Sequence, residues 1–301
     1  MGPTASGKTD LAMQIADHLP VELISVDSAL IYRGMNLGTA KPDSDTLQRY
    51  PHHLVDIKDP SESYSAAEFR EDALSLIQQA QLNGKLPLLV GGTMMYFNAL
   101  IKGMAELPVS DPVLRAELDK RIQADGIEQL HAQLKVLDPE SAQRLHPTDT
   151  QRVQRALEVF LLTGKSLTQH WQAQQEVELP FEPLSIGLLP ADRAWLHKRI
   201  ALRFQMMLAA GFEQEVASLY QRGDLHEGLP AIRCVGYRQM WQYFKGELNY
   251  QQMTEKSVVA TRQLAKRQYT WLRSWKNLHP LSQHKQNNLQ DCLKLIEGSV
   301  I

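Results

Sequence analysis

The chain has 301 residues, 43% hydrophobic and 22% charged, with 32 Lys and Arg set against 34 Asp and Glu for a formal net charge of −2. This is a globular composition, long enough for one large domain or two ordinary ones, and no apolar run approaches the length of a membrane span. Cys234 and Cys292 lie far apart and outside any C-x-x-C spacing, so neither a disulfide framework nor a zinc site is indicated, and a reducing cytoplasm is the expected compartment.

The first element is a motif. Gly2, Pro3, Thr4, Ala5, Ser6, Gly7, Lys8 and Thr9 match G-x-x-x-x-G-K-[ST], the phosphate-binding loop. Its glycines let backbone N–H groups turn inward around an anion, Lys8 supplies a point charge for the terminal phosphates, and Thr9 offers a hydroxyl to Mg²⁺. A helix follows over 8–19, with Leu11, Ala12, Ile15, Ala16 and Leu19 at helical spacing and Pro20 after it. Such a loop normally follows a buried strand, yet only Met1 precedes it here; the expectation is that the natural polypeptide begins upstream, with Met1 ending the first strand.

Downstream, apolar segments at 21–26, 54–57, 86–90 and 184–189 read as buried parallel strands. Helical patterns lie between them, such as 65–83 with Phe69, Ala73, Leu76, Ile77 and Ala80 on one face. The alternation breaks over 111–175, where helices are expected at 113–124, 127–137, 139–145 and 148–163 with no good strand. The expected fold is α/β: a P-loop NTPase-like parallel sheet flanked by helices, with an all-helical insertion domain. The expected bounds are 1–107 and 184–301 for the two parts of the core and 108–183 for the insertion.

The strand at 86–90 ends in Gly91-Gly92-Thr93, without the Asp that holds Mg²⁺ in nucleotide-hydrolysing P-loop enzymes. Ala40-Lys41-Pro42-Asp43 is not a guanine-recognition signature. The carboxylate that stands out is Asp27, at the end of the strand 21–26 and therefore expected near the phosphate loop.

Asp27-Ser28-Ala29-Leu30-Ile31-Tyr32-Arg33 and Gly38-Thr39-Ala40-Lys41-Pro42 resemble the signature of the tRNA dimethylallyltransferases. The same resemblance continues through His52-His53-Leu54-Val55-Asp56, Tyr64-Ser65-Ala66-Ala67-Glu68-Phe69, Gly91-Gly92-Thr93, the RVQRALEV run at 152–159, the stretch 203–216 with Gly211 and Glu215, and Gly236-Tyr237-Arg238. One position departs: Leu30 stands where the family commonly has Gln, which removes any adenine contact made by that amide. The C-terminal zinc finger of the eukaryotic relatives is also absent, as in a bacterial-type enzyme.

The resemblance implies transfer of a dimethylallyl group from dimethylallyl diphosphate to N6 of adenosine 37 in a tRNA anticodon stem-loop, with Mg²⁺ at Thr9. It implies Asp27 as general base, Thr93 as a second hydrogen-bonding group near the amine and Arg203 on the pyrophosphate. A pyrophosphate leaving group suits the loop, and no hydrolytic base is needed. RNA contact is implied for Asp27, Ser28, Ala29 and Leu30; for Gln151, Arg152, Val153, Gln154 and Arg155; for Arg233, Cys234, Val235, Gly236, Tyr237 and Arg238; and for Lys266, Arg267, Gln268, Tyr269, Thr270, Trp271, Leu272 and Arg273. Cys234 reads as a small packing residue rather than a nucleophile.

The charge pattern bears on the same partner. From 256 to 290 there are seven Lys or Arg and no acidic residue. At helical spacing Arg262, Lys266, Tyr269, Arg273 and Lys276 form one face, with Leu264, Gln268, Trp271 and Trp275 almost opposite, so that a basic stripe would meet phosphates while the Trp side packs inward. Two other activities fit the loop: an adenylate isopentenyltransferase acting on free nucleotides, and an ATP-dependent P-loop small-molecule kinase. The first needs neither a helical insertion nor a basic stripe. No membrane or protein partner is indicated.

Overall fold

The structure, a computed structural model, describes residues 1–174, 179–282 and 287–299. It divides into two compact units, Met1–Ile101 with Pro180–Ile301, and Lys102–Leu179. The second unit's bounds fall a few residues before the expected 108–183, because residues 103–111 carry no regular secondary structure and go with the helices they lead into.

The larger unit opens with α1 (Lys8–Ala16), β1 (Val21–Val26), α2 (Ser44–Arg49), β2 (His52–His53), α3 (Ala66–Leu82), β3 (Leu86–Gly91) and α4 (Met94–Lys102). Three strands pair in parallel in the order β2-β1-β3. Ile24 and Val26 of β1 face Phe69, Ala73 and Ile77 of α3 and Phe97 and Leu100 of α4 in one core. The opposite face, with Val21, Leu86 and Leu88, packs on Ile15 of α1. Helices on both faces explain why these strands read as nearly continuous apolar runs. Within α3, Ser65 and Glu68 form a capping box, which sets the start of the helix where sequence places it.

The expected strand at 54–57 is not formed. Only His52 and His53 pair with β1, and the chain then turns through positive φ at Leu54 (62°) and Asp56 (55°). That turn serves a buried cation: Lys41, with 3% of its side chain exposed, pairs with Asp56. Lys41 also donates to Tyr32 O at 2.8 Å and Asn36 Oδ1 at 3.0 Å.

The smaller unit is helical: α5 (Pro112–Asp125), α6 (Ile127–Leu137), α7 (Pro139–Arg144), α8 (Thr150–Thr163) and α9 (Leu167–Ala173), around Leu118, Leu130, Leu134, Val153 and Leu157. Its hub is Glu158, fully buried, which accepts from Ser110 Oγ (2.6 Å), the Asp111 N–H (3.0 Å) and Arg155 Nη1 (2.7 Å). Burial alone would raise its pKa; the hydrogen bonds from Ser110 and Arg155 and the charges of Arg115 and Arg155 outweigh that and hold it low. This corrects the expected RNA-facing cluster. Arg155 is engaged by Glu158 and by Pro108 O, Gln154 is buried with its amide on Arg115 O and Asp119, and Val153 is core. Gln151 and Arg152 remain exposed.

The larger unit resumes with β4 (Ser185–Leu188), α10 (Arg193–Ala209), α11 (Phe212–Gln221), α12 (Tyr237–Phe244), α13 (Tyr250–Arg273), β5 (Leu278–Leu281) and α14 (Asn288–Glu297). β4 and β5 pair in parallel, and Met1 exchanges backbone hydrogen bonds with Ile186 and Leu188 of β4. β5 has no sequence signal because His279-Pro280 interrupts it; a proline is tolerated where its missing donor faces away from the ladder. α13 ends at Arg273, so Trp275 and Lys276 lie beyond it. Among the described residues no helix is long and apolar enough to cross a membrane.

One carboxylate joins the glycine-rich turn after β1 to the later helices. Glu215 of α11 accepts the N–H groups of Asn36 (2.9 Å), Leu37 (2.7 Å) and Gly38 (3.1 Å) and the Tyr237 hydroxyl (2.5 Å). A Cβ on Gly38 would stand 2.2 Å from the Phe212 ring, so only glycine allows this approach. Replacing Glu215 by Ala leaves four donors without their acceptor, and urea unfolding of Glu215→Ala is expected to show a stability loss of about 3 kcal/mol, with Gly38→Ala destabilising by steric displacement instead.

Candidate active site

An open cavity of about 1120 Å³ lies at the carboxyl ends of β1 and β3, and every residue lining it belongs to the larger unit. Thr4, Ala5, Gly7, Lys8 and Thr9 form one wall. The loop turns through positive φ at Ala5 (62°) and Gly7 (92°), and Gly7 brings no side chain to cap α1, so the leading N–H groups of that helix are available to an anion.

Parallel register sets the second wall. Val26 stands across from Gly91, which places Asp27 beside the Gly91-Gly92-Thr93 turn. Thr93 N–H donates to Val26 O (3.2 Å), and Thr93 Oγ1 accepts the Ser28 N–H (3.0 Å). Asp27 Oδ1 accepts the Ala29 N–H at 2.9 Å, which orients the carboxylate and leaves Oδ2 outside that bond. Ser28, Ala29 and Leu30 line the cavity with it.

Arg203 enters from α10. Burial lowers the pKa of Lys8 and of Arg203; each is pushed further down by a neighbouring cation (Arg203 for Lys8, Arg199 for Arg203), and Asp27 opposes the shift in both. The cavity thus gathers desolvated positive charge at Lys8 and Arg203 close to Asp27, the electrostatics of an anion site. Cys234, also on the wall, is pushed up to about 12 by burial and then by Asp27, so it is a neutral thiol.

Gln268, implied by the resemblance as an RNA contact but placed by helical spacing on the side opposite the basic face, is buried. Its Oε1 accepts the Thr4 N–H of the phosphate loop (2.8 Å) and its Nε2 donates to Gly92 O (2.9 Å). A Cβ on Gly92 would come within 2.4 Å of that Nε2. One amide therefore ties the phosphate loop to the turn carrying Thr93. Sequence offered no signal for this beyond a polar residue on the apolar side of the helix.

Other expected RNA contacts are also relocated. Leu272 and Tyr237 are core. Tyr269 packs with Ala5, Leu196 and Ile200, and its hydroxyl is buried, so the ring does not stand free to stack on a base. Trp271 was expected to pack inward but is 40% exposed and lines the cavity. Lys266, Arg267, Thr270 and Arg273 on α13, together with Arg233 and Arg238, are exposed as a nucleic-acid face requires. Sequence reasoning missed Leu202 and Met206 of α10, 58% and 62% exposed, which add apolar surface to the same cavity.

Among the described residues no group of three or more His, Cys, Asp and Glu could hold a metal alone. The oxygen donors that line the cavity at Thr9, Asp10 and Asp27 suit a hard cation that takes its other ligands from phosphate and water, as Mg²⁺ does.

Residues 30–275 match the family model described as IPP transferase. Among solved structures, the full-length tRNA isopentenylpyrophosphate transferase of Bacillus halodurans is 35% identical over 99% of this chain and 94% of its own, with a TM-score of 0.72. The tRNA delta(2)-isopentenylpyrophosphate transferase of Staphylococcus epidermidis is 34% identical over 100% and 96%, at 0.70. A eukaryotic dimethylallyltransferase acting on tRNA is 25% identical over 99% of this chain and 78% of its own, at 0.83. With the family model spanning most of its length and relatives this similar along nearly all of it, the chain belongs to the IPP transferase family.

Proposed function

We propose that this protein transfers the dimethylallyl group of dimethylallyl diphosphate to N6 of adenosine 37 in the anticodon loop of tRNA, releasing pyrophosphate. The observation that carries the reading is the meeting, in one cavity, of the phosphate loop with Lys8, the Arg203 guanidinium and the Asp27–Thr93 pair. Family membership makes the chain a prenyl-transferring enzyme; the residue roles follow from the chemistry.

The bond from the allyl carbon to the bridging oxygen breaks as the bond to N6 forms. Negative charge grows on the diphosphate, where the loop N–H groups, Lys8 and Arg203 stabilise it in a site already ordered before reaction. A Mg²⁺ held through Thr9 would supply further neutralisation of that charge. The adenine amine is a weak nucleophile because its lone pair is delocalised into the ring. Asp27 accepts one N6 proton as the new bond forms, and Thr93 offers its hydroxyl beside it. The adenine must leave its stack to reach this depth, which a single-stranded loop permits at small cost. The exposed cations of α13 hold the RNA backbone, and the apolar side chains of Leu202, Met206 and Trp271 border the space through which base and prenyl group meet. Acting on tRNA, the enzyme would work in the cytoplasm.

Asp27→Asn keeps an oxygen for the Ala29 N–H but removes the base. Single-turnover transfer of labelled dimethylallyl is expected to slow by about 10²–10⁴ with tRNA affinity unchanged. Weak tRNA binding at a normal chemical rate would contradict the base role. In the same assay label is expected in tRNA and not in AMP, and no phosphate transfer from ATP; label in AMP alone would identify a nucleotide-directed enzyme. Lys266→Ala combined with Arg273→Ala is expected to weaken tRNA binding and to flatten the slope of log K against log salt by about 1.5, since each lost phosphate contact removes ~0.7–0.9.

A further inference from the structure

The cavity wall below Thr9 carries two polar groups that the proposed transfer does not use. Side chains alternate along a strand, so Ser25 shares a face of β1 with Leu23. Parallel register sets Leu23 across from His52 and Ser25 across from Val90. Ser25 and His52 therefore stand on one face of the sheet, the face on which Ile15 of α1 packs against Val21, Leu86 and Leu88. Both residues line the same cavity as Thr9 and Asp10 at the start of that helix. Ser25 Oγ and His52 Nε2 are buried and have no hydrogen-bond partner among the described residues.

The tautomer of His52 follows from its other nitrogen. Nδ1 lies 2.6 Å from Tyr50 O, and a carbonyl only accepts, so Nδ1 carries the proton and Nε2 presents a lone pair. Burial, which lowers the His52 pKa, keeps the ring in this neutral form. The wall thus offers a bare nitrogen and a hydroxyl oxygen, both acceptors, and a buried acceptor calls for a donor. A hydrated divalent cation is a strong source of one: Mg²⁺ sheds water reluctantly, and the water it keeps is polarised toward donation. In P-loop enzymes that cleave nucleotides a strand-end carboxylate takes part in holding the cation; β3 ends here without one, and Ser25 lies one strand over from Val90.

We propose that Ser25 Oγ and His52 Nε2 form an outer-shell acceptor pair that holds hydration water of the divalent cation arriving with the diphosphate and anchored at Thr9. This rests on the reading of the loop as a diphosphate site.

The test uses Mn²⁺ as the probe cation and inorganic pyrophosphate as the anion, with bound Mn²⁺ followed by its electron paramagnetic resonance signal and metal-free pyrophosphate binding by calorimetry. Ser25→Ala and His52→Phe are each expected to weaken Mn²⁺ binding in the presence of pyrophosphate by about 10-fold or more, the usual cost of losing an outer-shell partner. Metal-free pyrophosphate affinity is expected to stay unchanged, and His52→Gln, whose amide oxygen can accept in place of Nε2, to recover part of the loss. Unaltered Mn²⁺ affinity in both variants would overturn the pair, as would an equal loss of metal-free pyrophosphate binding, which would mean that the residues only shape the loop. Failure of the unsubstituted protein to take up pyrophosphate would instead bring down the diphosphate reading, and the pair with it.

Discussion

The close pairing of β1 with β3 is the constraint on which the site depends. A Cβ at Gly91 would fall 1.9 Å from Val26 O, so glycine there is what lets the two strand ends meet. Once they meet, the backbone bond from Thr93 N–H to Val26 O makes Asp27 and Thr93 neighbours, and Thr93 Oγ1 accepts the Ser28 N–H beside it. Gln268 then closes the third side by joining Gly92 to Thr4. Strand pairing, turn and phosphate loop hold one another, and Asp27 and Thr93 are carried on that frame.

The same economy of polar groups runs through both units. The side chains of Lys41, Glu158 and Gln268 are buried and that of Glu215 is half-buried, and each holds several polar partners outside its own element. Breaking any of them leaves buried groups unmatched, which costs more than the bonds contribute when intact. Such residues therefore specify loop positions more than they add stability: Glu158 fixes 110–111 in the helical unit, while Lys41, Glu215 and Gln268 hold segments that contribute to the cavity wall.

This explains what sequence made legible and what it did not. The phosphate loop, Asp27 and Thr93 were readable because local chemistry defines them: a glycine pattern, a strand end, a turn. Elements with a clean period, such as α3 with its Ser65–Glu68 cap or α6, were placed to within a residue. The segment 54–57 has an apolar pattern, yet its backbone bends to bring Asp56 to Lys41, a long-range demand that no local pattern records. Arg155 and Gln154 failed for the opposite reason. Polar residues on a helix suggest a wet surface, and whether a polar side chain meets water or a buried partner is settled only by the elements that close over it.

Electrostatics links the two buried cations to the carboxylates beside them. Burial lowers the pKa of Lys8 and of Arg203; Asp27 opposes the shift in both, and Asp10 adds to that opposition at Arg203. On the proposed reading, a diphosphate would bring further negative charge to the same two cations. As the carbon–oxygen bond lengthened, the growing anion would meet cations already held by the loop and by α10, so the work of desolvating and orienting them would be done by the folded frame before the charge develops.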